Sequence, residues 1–146
     1  MLSKAGAQAV KALIELAASP QQWRSTADLA RAQQLPEPML EQVLLKLRRS
    51  GLLQARRGRL GGYRLARPAQ QISIGLVLGA VARQAEPLNP ADASEISAAD
   101  QVTSSLERHL VMAQQRALAE LTVEDLYFDL RSALASRQED GGLLLG

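Results

Sequence analysis

Cysteine is absent from this 146-residue chain. Disulfides, thiolate zinc sites, catalytic thiols and cysteine-ligated iron–sulfur clusters are therefore excluded. Histidine is almost as scarce: His109 stands alone, too little for a serine–histidine hydrolase or a histidine-rich metal site. No nucleophile–base pair stands out elsewhere, so no catalytic residue is assigned and an enzyme is not expected. Long apolar runs are missing too. The longest, Ile74 to Ala82, falls far short of the roughly 20 residues needed to cross a bilayer. Lys11 and Glu15 interrupt the apolar stretch near the N-terminus, which leaves no signal-peptide core. The expectation is a cytoplasmic protein without membrane contact.

The composition suits one domain, or a small domain with an appended arm: 47% of residues are apolar and 22% charged. The net charge of +2 hides an asymmetry. Met1–Arg67 carries twelve Lys and Arg against four Asp and Glu, a net +8, whereas the remainder carries five Arg against eleven acids, a net −6. Lys46–Arg67 alone has eight basic residues and no acid. Such a stretch is either a solvated basic face or the meeting point for a polyanion.

Hydrophobic spacing predicts a first helix over about Ser3–Ala18, with Val10, Leu13, Ile14 and Ala17 as its apolar stripe. Ser19-Pro20 ends it, because the residue before a proline is pushed out of the helical region. A connection through Trp23 leads to Ser25-Thr26-Ala27-Asp28, where a hydroxyl cap and an acid in the first turn open a second helix to about Gln33. A third helix starts near Glu37-Pro38, with the proline where its missing N–H costs nothing, and runs to Ser50 before Gly51. Leu40, Val43, Leu44 and Leu47 form its inward stripe; Gln42, Lys46 and Arg49 lie opposite, flanked by Glu41 and Arg48.

Two segments of period 2 follow. Leu53 and Ala55 alternate with Gln54 and Arg56, and Tyr63 and Leu65 alternate with Arg64, around the loop Gly58-Arg59-Leu60-Gly61-Gly62. The pattern predicts a β-hairpin. Three helices and a basic hairpin make the layout of a winged helix-turn-helix, so the expected fold is mainly α with a small β-hairpin. The glycine loop lacks the Lys-Ser/Thr of a phosphate-binding P-loop, and no helix opens directly after it. A winged helix used only for protein contacts is the alternative, and the basic bias of the outer helix and hairpin argues against it.

Several short stretches are distinctive: Ser3-Lys4-Ala5-Gly6 with Ala9, then Leu40-Glu41-Gln42 with Leu47-Arg48, and Gly51-Leu52. The most specific is Arg57-Gly58-x-x-Gly61-Gly62-Tyr63-x-Leu65-Ala66 followed by Pro68, with a weaker echo in Leu121-Thr122-Val123-x-x-Leu126. In these residues the chain resembles the IscR/NsrR/CymR-type winged-helix regulators of bacteria. The resemblance covers residues 1–82 well and the rest loosely. It implies that Glu41 and Gln42 face bases in a major groove and that Arg57 lies in or near a minor groove. Glutamine can bond an adenine edge, and glutamate can accept from a cytosine amino group. In this family the residues before Leu-Glu-Gln are often Ser and Tyr; here Pro38 and Met39 remove two hydrogen-bonding groups. The expected DNA-contacting set is Ser25, Thr26, Pro38, Glu41, Gln42, Lys46, Arg49, Arg56, Arg57, Arg59 and Arg64.

Many family members hold an iron–sulfur cluster through three cysteines in the loop before the long C-terminal helix, sometimes with a histidine. By that resemblance the last cysteine position falls near Gln101 and the histidine position near Ser104, while His109 comes about five residues too late. The loop acids Glu86, Asp92, Glu95 and Asp100 lack calcium-loop spacing. No cofactor and no metal is expected.

Beyond an acidic connection over 83–100, Val102, Leu106, Leu110, Ala113 and Ala117 recur at helical spacing. Thr122 caps a last helix with Glu124 and Asp125 in its first turn and Leu126, Leu130 and Leu134 along one side. The stripe from Val102 to Ala117 either packs within the chain or zips against a second copy, and the dimer is the favoured expectation. The predicted organisation is a DNA-binding head over 1–82, dimerisation helices over 101–137, and a tail, 138–146, that is either disordered or laid on a partner. Double-stranded DNA and a second copy are the expected partners, with room for an effector or protein partner.

Overall fold

The computed structural model describes residues 2–82 and 97–144. These residues form six α-helices, α1 (Lys4–Ala18), α2 (Thr26–Gln33), α3 (Glu37–Arg49), α4 (Ile74–Val81), α5 (Ala98–Ala117) and α6 (Val123–Leu144), and one two-stranded sheet, β1 (Leu53–Arg56) and β2 (Gly62–Leu65). The mainly helical fold with a single hairpin is as expected.

The caps follow local chemistry. Ser3 Oγ accepts from Gly6 N–H at 3.0 Å to start α1, and Ser25 Oγ accepts from Asp28 N–H at 3.1 Å to start α2. Each side chain satisfies one of the helix's orphan donors. Gln34 ends α2 in the left-handed conformation at φ 55°, and Leu35 N–H donates to the Ala30 carbonyl at 2.8 Å, turning the chain toward α3. Pro38 sits in the first turn of α3, as predicted.

Leu13 and Leu16 of α1, Leu29 of α2, Leu40, Leu44 and Leu47 of α3 and Val77 of α4 form one core with Leu53 and Leu65 of the hairpin. On α1 the buried stripe is rotated from the expected one: Ala9, Ala12, Leu13 and Leu16 are inside, while Val10, Ile14 and Ala17 are half-buried. The inner face therefore combines two leucines with two alanines, and α3, α4 and α6 all pack on α1. Helix α4 fills the apolar run that spacing left without an assigned element. Ser73 caps it, and Ile74, Gly75, Val77 and Val81 are buried. A side chain at Gly75 would press on the Gln115 carbonyl, 2.6 Å from an added Cβ, so glycine lets α5 cross α4 at backbone distance.

The core is completed from the far end of the chain. Val123, at the start of α6, is 1% exposed and belongs to the same cluster, with Leu118, Leu121 and Leu126 packed against it. Helix α6 runs on to Leu144, so residues 138–144 of the tail are helical. Most of the acidic connection, residues 83–96 with Glu86, Asp92 and Glu95, lies outside the described residues.

Candidate nucleic-acid interface

Helix α3 presents two chemically different sides. Leu40, Val43, Leu44 and Leu47 are buried. Pro38, Gln42, Lys46 and Arg49 recur at spacings of four, four and three on the other side with Glu41 beside them; Lys46 is half-buried and the rest are exposed. The predicted reading residues thus share one solvent-facing strip. Ser25 and Thr26 lie at the α2 N-terminus; the Ser25 oxygen is engaged as a cap, which leaves its hydrogen free to donate.

Gly51, at φ 79°, turns the chain from α3 into the hairpin. The strands pair in antiparallel register, Leu53 with Leu65, Gln54 with Arg64, Ala55 with Tyr63 and Arg56 with Gly62. Alternation along a strand puts Leu53, Ala55, Tyr63 and Leu65 on one face and Gln54, Arg56 and Arg64 on the other. The backbone of Arg24 adds a third, one-residue rung: its N–H donates to the Tyr63 carbonyl at 2.9 Å, and its carbonyl accepts from Tyr63 N–H at 2.8 Å. At Gly62, φ 140°, an added Cβ would collide with the Arg24 carbonyl, and at Gly61 with the Arg56 carbonyl. The glycine pair is required by these close approaches.

Arg57 and Arg59 are exposed in the wing, with Leu60 80% exposed beside them. Arg56 and Arg64 are placed differently from free basic arms. Their guanidinium carbons lie 4.9 and 4.3 Å from the centroid of the Trp23 ring. Arg56 Nη2 also donates to the Leu60 carbonyl at 2.6 Å, and Arg64 Nε donates to Gln54 Oε1 at 3.1 Å. In the sequence Trp23 reads only as part of a connection; the signal is that the only tryptophan stands two residues before the capping Ser25. The single ion pair among the described residues, Arg24 with Glu15 at 3.3 Å, lies away from this basic set.

The expected dimer stripe stands in solvent. Val102, Leu106 and Leu110 are 70%, 57% and 61% exposed, and Ala113 and Ala117 are exposed as well. Packing within the chain was the alternative, and it leaves these side chains uncovered. Met112 on α5 and Phe128, Leu130 and Leu134 on α6 are exposed apolar side chains as well. Met112 and Phe128 fell outside the predicted stripe.

A model of iron-dependent transcriptional regulators, Rrf2, matches residues 2–129. The chain belongs to the Rrf2 family. A helix-turn-helix-type transcriptional regulator of Synechocystis is 40% identical over 131 residues, covering 89% of both chains. IscR of Cereibacter sphaeroides is 42% identical over 83 residues, which cover 55% of this chain and 54% of that one. Among solved structures, IscR of T. potens superposes with a TM-score of 0.65 at 29% identity, covering 91% of this chain and 90% of that one. CymR of B. subtilis superposes with a TM-score of 0.63 at 26% identity, covering 87% and 95%. The Rrf2 chain described here is thus a winged-helix DNA-binding transcriptional regulator, and the resemblance to IscR- and CymR-type proteins holds. No helix among its described residues is long and apolar enough to cross a membrane.

The family description names iron, and the residues of this Rrf2 chain do not fit a thiolate-held cluster, since the chain has no cysteine. Asp100, one of the expected loop acids, is occupied as a cap: it accepts from Ser97 Oγ at 2.8 Å and from Ser97 N–H at 3.3 Å. His109 is exposed on α5, and no group of three or more His, Cys, Asp or Glu gathers among the described residues.

Proposed function

We propose that this Rrf2 regulator acts as a cytoplasmic homodimer that reads an inverted-repeat operator in double-stranded DNA, without a cysteine-ligated cluster. The head over residues 1–82 lays the exposed strip of α3 in the major groove, with Glu41 and Gln42 at the base edges. Lys46, Arg49, Arg57 and Arg59 meet phosphates or the adjoining minor groove. The observation that carries this reading is the polarity of α3, whose leucines are inside while its polar and basic residues face solvent and continue into the basic wing. Base readout specifies and phosphate contacts position, so the two groups divide the work.

The second copy is supported by the exposed stripe of α5. A single winged helix covers only about 600–1,000 Å² of DNA interface. A two-fold dimer doubles that and sets the half-site spacing near one helical turn or a multiple of it. The acidic helices then stand away from DNA while the basic head faces it.

Titration of duplex DNA across salt tests the reading. Each phosphate neutralised releases counterions and lowers log affinity with log salt by about 0.9. A steep fall between about 50 and 200 mM salt is expected, and an affinity that barely changes over that range would remove the DNA reading.

A further inference from the structure

Trp23 is the only tryptophan in the chain, and two like-charged side chains gather on it. Arg56 comes from β1 and Arg64 from β2, on the hairpin face that also carries Gln54. Trp23 reaches that face because the neighbouring Arg24 is paired to Tyr63. Alternation then sends the Arg24 side chain the other way, to Glu15 on α1. Two guanidiniums this close would repel one another, and the negative π-face of an indole offsets that repulsion. One hydrogen bond then sets the rotation of each: Arg56 to the Leu60 carbonyl, closing the wing loop, and Arg64 to Gln54. A guanidinium has five N–H donors in a plane. The ring contact takes up no N–H donor and these bonds use one donor each, so further donors remain on each guanidinium for a phosphate.

From this geometry we infer that Trp23 is a positioning residue of the DNA interface. It holds Arg56 and Arg64, and through Arg56 the tip of the wing, in the arrangement that meets the phosphates of the duplex. The inference rests on the reading of the wing as a DNA contact. An arginine already ordered on a ring loses less rotamer freedom when it binds a phosphate. Removing the ring keeps both charges, so fewer productive encounters result while the count of neutralised phosphates is unchanged.

The test uses the full chain and fluorescently labelled duplexes, one carrying the operator selected from a random pool and one scrambled, across about 50–200 mM salt. Trp23→Ala is expected to bind both duplexes about tenfold more weakly with an unaltered salt slope. Trp23→Phe, which keeps a π-face, should stay within about threefold of wild type. Arg56→Ala should flatten the slope by about one unit. In a background lacking both Arg56 and Arg64, Trp23→Ala should have no further effect, since the ring then has nothing to hold. Wild-type affinity in Trp23→Ala, equal damage from Phe and Ala, or a Trp23 effect that persists without the two arginines would each overturn the inference. Arg56→Ala and Arg64→Ala with wild-type affinity and slope would instead overturn the wing as a DNA contact, and the role of Trp23 with it. The wild-type protein supplies a readout that needs no variant. Acrylamide should quench the lone tryptophan weakly both free and on DNA, and strong quenching in the complex would show that the stack opens on binding and would sink the proposal.

Discussion

Ser73 and Thr122 face each other in an antiparallel bridge. Ile74 N–H donates to the Leu121 carbonyl at 2.7 Å and Val123 N–H to the Ile72 carbonyl at 2.9 Å. The bridge joins the start of α4, inside the head, to the corner between α5 and α6. Backbone bonds thus tie the C-terminal helices directly to the head.

That corner is also core. Val123→Ala removes two methyl groups from a site with almost no solvent contact and should lower stability by about 1–3 kcal/mol. Urea denaturation followed by far-ultraviolet circular dichroism measures it. An unmoved midpoint would mean that the corner is dispensable to the head.

The wing glycines are unequal. Gly62→Ala combines φ 140° with a collision against the Arg24 carbonyl, whereas Gly58→Ala at φ 104° meets open space. Gly58→Ala should therefore cost about 1 kcal/mol and Gly62→Ala at least about 2 kcal/mol, with weaker DNA binding. Equal unfolding midpoints for the two variants would contradict the third rung formed by Arg24.

Reading and positioning separate by substitution. Gln42→Ala should lose about 1–3 kcal/mol on the selected operator and relax preference at one base step. Arg57→Ala should weaken operator and scrambled DNA about equally and flatten the salt slope by about one unit. If Gln42→Ala leaves the ratio of specific to non-specific affinity untouched, the reading face of α3 is misassigned.

The dimer contact is placed on α5. Leu106→Glu with Leu110→Glu would set like charges against their own copies across a two-fold interface, giving monomers whose heads remain folded but lose the operator. Sedimentation that finds the wild type monomeric at micromolar concentration, or the double variant still dimeric, removes this stripe as the interface.

Iron gives the last check. Protein prepared without oxygen should be colourless and carry no acid-labile sulfide, because thiolate is the usual cluster ligand and this chain supplies none. A visible absorbance band with stoichiometric iron and sulfide would falsify that expectation.

Much of the head was legible because its signals are local. A hydroxyl two or three residues before an orphan N–H caps a helix wherever the chain goes, and Ser25 does so on α2. Alternation around a glycine-rich loop pairs strands, and the register of Gln54 with Arg64 follows it. Inward leucines on α3 leave Glu41, Gln42 and Arg49 outside for the same geometric reason. Other features depended on partners distant in sequence. An all-apolar run has no period, so α4 was recognisable only once its neighbours surrounded it. The inner face of α1 was decided by the elements that pack on it, which bury Ala9 and Ala12 with Leu13 and Leu16 and leave Val10 and Ile14 half-buried. Periodicity does not say which apolar stripe of a chain will be covered, and only the packed molecule shows Val123 inside and Leu106 outside. Nor does it reveal that Trp23 would sit beneath Arg56 and Arg64, because that contact exists only after the segment before α2 has paired with β2. Capping, turn and alternation preferences act over a few residues and are written in the order of the chain; burial and stacking are properties of surfaces that meet only when the chain has folded.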